Sequence, residues 1–267
     1  MRNRMKITFL LAVLIGLGSC GGENESNSNS NSENNEQELL GYEEQVLRDS
    51  SCLSNTELCA EVSLHYPVFQ GAEQAKVDWL NGHVEQQLLM YFDPQQSAPQ
   101  DSSLKGAVAR FLDEATKYNQ DSEFQSAWMH QTNAKVSTKT PKGISLMVEN
   151  SSYTGGAHPI STVMFLNFDL EQQRLLKAKE VVLKQAELQE RVLKLFKEKY
   201  EVPAAGNLAG DGRFFLDNGE FFLPSAMGYE GEDLVLIYNP YEIAPYSFGL
   251  TEIRIPLDSL AGIVWMP

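Results

Sequence analysis

The tetrad Leu17-Gly18-Ser19-Cys20 near the N-terminus decides how much of this 267-residue chain is available to fold, and in which compartment. Arg2, Arg4 and Lys6 precede an almost wholly apolar run from Ile7 to Leu17, about the length of a secretory h-region and too short to span a bilayer. Small residues then lead to Cys20, as in a lipobox. The expectation is cleavage before Cys20, lipidation of its thiol and acylation of its amine (a palmitate-bearing lipoprotein), so residues 1–19 form a signal peptide. The stretch that follows, Gly21 to Gln37, reads GGENESNSNSNSENNEQ and has no apolar residue. It cannot offset the entropy of ordering and reads as a tether over 20–38. Its reach is about 25 Å, at ~6 Å times the square root of the residue number. The foldable part therefore starts near residue 39.

That reading constrains cysteine chemistry and charge. Of three cysteines, lipidation consumes Cys20 and leaves Cys52 and Cys59, seven residues apart. In an oxidising compartment these are expected to form a disulfide that staples the N-terminal edge of the fold. A metal site is the weaker alternative, because no His or further Cys flanks the pair at ligand spacing. The full chain carries 21 Lys+Arg and 36 Asp+Glu. Losing residues 1–19 removes Arg2, Arg4 and Lys6 and no acid, so 18 bases face 36 acids and the mature charge is about −18. Long-range repulsion disfavours nucleic acid and anionic headgroups and would favour a cationic partner. Solubility alone also explains an acidic exported protein.

From Cys59 the pattern becomes that of an α+β fold, a mostly antiparallel sheet packed with about three helices. Ala60 to Tyr66 alternates and is closed by Pro67, a strand with a stop signal. Helical spacing runs over 71–92 through Trp79, Leu80, Val84, Leu88 and Tyr91, and Asp93-Pro94 ends it. A second helix is expected from Ser102, a capping candidate, and a third over 186–200. Strands are expected near 124–138, 143–153, 160–170, 220–223, 234–238 and 251–256. In the 143–153 strand, Ile144, Leu146 and Val148 alternate with polar neighbours, which predicts a sheet with one solvated face. Asn218-Gly219 and the Gly-rich 224–232 segment are equally good turns. The halves divide at residue 160, into 39–160 and 161–267, and share a core.

Catalytic motifs are sparse. His65, His83, His130 and His158 form no HExxH or HxxxH pair, and no GxSxG, GxGxxG or phosphate loop is present. No catalytic residue, metal or cofactor is expected. Two segments stand out by composition. In Tyr153-Thr154-Gly155-Gly156-Ala157-His158-Pro159, the paired glycines permit positive φ and the proline pushes His158 towards an extended conformation. It reads as a ligand-facing loop with His158 as a polar contact, or as a plain hairpin whose His is satisfied by backbone. Tyr238 to Tyr246, YNPYEIAPY, packs three tyrosines and two prolines into nine residues. It reads as an aromatic binding loop, with Asn239, Tyr241, Glu242 and Tyr246 as contacts, or as a cap on a sheet end.

The order of YPVFQG, a helix bearing Asn81, SYTGGAHP, an amphipathic helix, then YNPYEIAPYSFG and IPL, resembles the extracytoplasmic region of RsiV-like proteins over about residues 59–261. That region pairs domains of unknown function 4163 and 3298, the first also found in PdaC-type peptidoglycan deacetylases. The resemblance implies an envelope sensing module. RsiV is an anti-sigma factor whose outer part recognises lysozyme; its cytoplasmic segment and spanning helix have no counterpart here, so that signalling role is not expected to carry over. The deacetylase catalytic domain has no counterpart either. The leading expectation is a non-enzymatic module, on the periplasmic side of a membrane or the cell surface, that recognises cell-wall glycan (peptidoglycan) or a lysozyme-like cationic protein. The alternatives are a glycan-active hydrolase using His158 with an acidic partner, and a structural lipoprotein with no soluble ligand.

Overall fold

A computed structural model describes residues 40–54, 56–93, 103–203 and 205–267. The leader, Cys20, the tether and Ser102 lie outside these residues. The chain opens with a hairpin, β1 (Gly41–Cys52) and β2 (Cys59–Gln70), closed by the Cys52–Cys59 disulfide between partners in register. Two helices follow, α1 (Gln74–Phe92) and α2 (Leu104–Asp121), the latter capped by Ser103, whose side chain accepts from Gly106 N–H. They carry the chain across to β3 (Met129–Lys139), which pairs parallel with β2. Hairpins then add β4 (Gly143–Tyr153), β5 (Ile160–Asp169) and the short β6 (Arg174–Leu176), so one six-stranded sheet runs in order from β1 to β6. A single turn, α3 (Ala178–Val181), and α4 (Gln185–Lys199) lead to a separate antiparallel sheet of β7 (Ala226–Glu230), β8 (Asp233–Tyr238) and β9 (Thr251–Pro256). No described helix is long and apolar enough to cross a membrane.

The side chains sort into four stacked layers. Leu80, Val84, Leu88, Val108 and Leu112 of α1 and α2 pack on Ile144, Leu146, Val148, Leu166 and Phe168 of the large sheet. The opposite face of β4 and β5 presents Met147, Val163 and Phe165, which meet Ala226, Val235 and Ile237 of the small sheet. The outer face of that sheet, through Tyr229, Leu236 and Tyr238, packs on Leu188, Val192 and Phe196 of α4. Gly228 is what lets the two sheets close, since a Cβ there would lie 2.3 Å from the Phe165 ring. Polar bonds fix the same contact: Asn167 donates to Met227 O, Tyr229 N–H donates to Ser145 Oγ, and Lys135 pairs with Glu230 at 2.8 Å.

The strands depart from the sequence pattern in several places. Residues 143–153 do not have a fully solvated second face, because the small sheet buries Ser145 and Met147 and leaves only the Glu149 end open. Pro67 does not stop its strand. Beyond His65 β2 has no β3 partner, so a missing N–H on that side costs no ladder bond. Strands β1, β6 and β7 are not among those expected, β3 begins at residue 129 rather than near 124, and residues 221–223 are irregular. Asn218 and Gly219 do turn, with φ of 51° and 82° between bridged Asp217 and Glu220, whereas most of 224–232 is strand β7 and only Gly231 (φ 60°) and Glu232 turn into β8.

Candidate functional site

The two compositionally unusual loops meet in space. The β4–β5 connection turns through Gly155 and Gly156 at φ of 102° and 109°, and Tyr153 Oη donates to Gly156 O, so the loop braces itself. At Gly155 an added Cβ would also come within 3.1 Å of Ser126 Oγ. The His158 imidazole stacks on Tyr246 with centroids 3.9 Å apart and planes 18° apart. Its Nδ1 lies 3.0 Å from Pro159 O, an acceptor, which places the proton on Nδ1 and leaves Nε2 facing Tyr241 Oη at 3.4 Å. Tyr246 Oη in turn donates to Pro159 O. Tyr153, Gly155, Gly156, His158, Pro159, Tyr241 and Tyr246 thus form one cluster, in which the partners of His158 are a carbonyl and a phenol rather than a carboxylate.

Asn239 and Glu242 spend their side chains inside the fold. The Asn239 carboxamide accepts from Val163 N–H at 2.7 Å and donates to Val163 O at 3.0 Å. The Glu242 carboxylate accepts from the backbone N–H groups of Asn239 and Ser225. These bonds hold the 239–246 loop against the edge of β5 and set where Tyr241 stands. Tyr241 has φ of 69°, sparsely populated for an aromatic residue, and is 57% exposed.

Beside this cluster, the half of the large sheet that the small sheet leaves uncovered forms a trough of about 630 Å³. Its floor was not singled out in the sequence, where Ser63, Gln131, Asn133, Glu149, Ser151 and Ser161 read only as polar alternation on a solvated face. Register assembles them into rows. Arg48, Ser63, Gln131, Ser151 and Ser161 are successive partners from β1 to β5, and His65, Asn133 and Glu149 form the next row. Bonds run within the rows, Asn133 to Glu149 at 3.1 Å and Ser151 to Ser161 at 3.2 Å, and between them, Arg48 to His65 Nε2 at 3.1 Å. Val163, clamped by Asn239, also lines the trough, so loop cluster and trough are contiguous. Among the described residues no group of three His, Cys, Asp or Glu side chains is arranged to hold a metal.

Two family models match in tandem: deacetylase PdaC over residues 53–161, and a protein family of unknown function, DUF3298, over residues 172–258. The chain pairs a PdaC module with a DUF3298 module. This pairing is that of an extracytoplasmic, cell-envelope module. A crystal structure of a DUF3298 family protein from Pseudomonas aeruginosa PAO1 is similar, at 21% identity and a TM-score of 0.64, over 86% of this chain and 96% of that one. A DUF3298 family member from Bacteroides fragilis NCTC 9343 is similar at 16% identity and a TM-score of 0.68, over 86% and 95%. At these identities the likeness establishes the shared fold. No curated protein matches the chain. The junction of the two modules runs through the sheet-on-sheet contact, and the loop cluster takes His158 from the PdaC module and Tyr241 and Tyr246 from the DUF3298 module.

Proposed function

We propose that this paired-module protein is a lipid-anchored recognition unit of the cell envelope that binds cell-wall material and catalyses no reaction on it. The observation that carries the proposal is Tyr241. A large ring held at positive φ costs on the order of 1 kcal/mol, and here the residue is 57% exposed, so burial does not repay that cost. The Glu242 and Asn239 bonds instead hold the ring out beside the His158–Tyr246 stack. Stacked and outward-facing aromatic rings offer rigid contact area to a flat apolar face, such as that of a sugar ring.

Position supports the same reading. The described chain enters at Gly41, paired with Gln70 at one end of the large sheet, whereas the 153–159 loop lies at the other end of β4. Eleven residues of strand separate the ends by about 35 Å. The first described strand therefore begins at the end remote from the recognition loops. A second reading, favoured by the mature charge of about −18, is that the partner is a lysozyme-like cationic protein.

The test uses detergent-solubilised full-length protein, sedimented with insoluble peptidoglycan and, in parallel, passed over immobilised lysozyme. The proposal expects retention on peptidoglycan, weakened about tenfold by Tyr241→Ala with the melting temperature unchanged. Failure to be retained on peptidoglycan at low salt would overturn it, and retention on lysozyme alone would favour the second reading. Cys20→Ser is expected to abolish palmitate labelling and release the protein from membranes; persistent labelling would contradict the anchor.

A further inference from the structure

The trough beside the aromatic cluster has its own chemistry, and it discriminates between the two partners. We infer that it is the binding groove for a neutral glycan strand, laid across β2 to β5 and rich in hydroxyl and acetamido groups. This rests on the recognition reading above and names its ligand class and floor.

Composition is the first argument. The molecule carries a large negative charge, yet the residues lining the trough include a single carboxylate, Glu149, and no lysine or arginine, with Arg48 and Glu61 flanking it. Arg48 donates to His65 Nε2, which therefore accepts. The remaining functional groups are hydroxyls and carboxamides. A site shaped for a strongly cationic protein surface would place acids here, and a site for an anion would place several bases. Neutral donors and acceptors in equal supply suit hydroxyl and amide groups.

Geometry is the second. Neighbouring strands lie about 4.8 Å apart, so the five-residue row from Arg48 to Ser161 presents a polar side chain at each step over about 19 Å. The cross-strand bonds hold the floor in place without exhausting it. Asn133 donates to one Glu149 oxygen and keeps its own carbonyl, and Glu149 keeps its second oxygen. A ligand lying across the strands meets a preordered floor and ends against the loop that carries His158.

The experiment titrates full-length protein with tetra-N-acetylchitotetraose and sediments it with insoluble peptidoglycan, comparing wild type with Gln131→Ala, Asn133→Ala and the double variant. Both side chains are exposed, so melting temperatures should stay within a few degrees. Each lost polar contact is expected to weaken glycan binding about fivefold, and the pair roughly 20-fold. Wild-type retention on peptidoglycan that the double variant leaves unchanged would overturn the groove while sparing the recognition reading. Absence of wild-type binding to either glycan would overturn both. Lysozyme binding that the double variant abolishes, with no glycan binding, would assign the trough to a protein partner and overturn the inference.

Discussion

Asn81 and Asn239 each present a carboxamide to a strand edge at the place where the neighbouring strand has run out. Asn81 of α1 accepts from Phe69 N–H and donates to Phe69 O; Asn239 treats Val163 in the same way. Each side chain stands in for one rung of a β-ladder, which explains why an isolated amide in a helix and another before a proline accompany this fold. Asn239→Ala is expected to strip both backbone groups of Val163 and lower stability by about 2 kcal/mol, read by urea denaturation. His130 is the other residue whose role only coordinates reveal. It is buried, stacks on Phe92 at 4.1 Å, and donates to Thr132 Oγ1, whose own hydrogen goes to Asn150. Burial lowers its pKa from the ordinary 6.5 to about 4. Between those values the unfolded chain binds a proton that the folded one does not, so stability falls as pH falls through this window. The His130 contribution to the loss between pH 7 and pH 4.5 is about 2 kcal/mol, and His130→Phe should flatten that part of the profile.

At the level of elements, α1, α2 and α4 were legible because their apolar stripes have a period that survives without knowledge of partners. β1 was not legible: it is an edge strand exposed on most positions, so neither face imposes an apolar alternation. Its attachment depends on register with β2 and on Cys52–Cys59, the two cysteines that sequence alone singles out. Closing a loop of this length is worth about 2–3 kcal/mol by chain entropy. Reduction is therefore expected to lower global stability by no more than that and to raise amide exchange chiefly in 41–52; uniform loosening of α1 and α2 would contradict this. The loops were legible as composition, and their glycine and tyrosine content pointed to the same place. The trough was not, because its rows join four or five strands that are distant in sequence. Ser63, Gln131 and Ser151 look like ordinary solvated positions until parallel pairing of β2 with β3 sets them side by side.

For the whole molecule, the small sheet covers only part of the large one, and the proposed binding face is what that incomplete overlap leaves open. Where the sheets meet, Gly228, Phe165 and Ser145 make a close contact that joins the two modules. Where they do not, a polar floor stays open beside loops drawn from both modules. The first strand begins at Gly41, at the end of the sheet opposite these loops. The most direct measurement is hydrogen exchange of the full-length protein with and without tetra-N-acetylchitotetraose. Protection confined to residues 61–65, 129–133 and 149–163, with the 239–246 loop, is the predicted result. No change in these segments at saturating sugar, or protection on α1 and α2 instead, would contradict a glycan-binding face on this sheet.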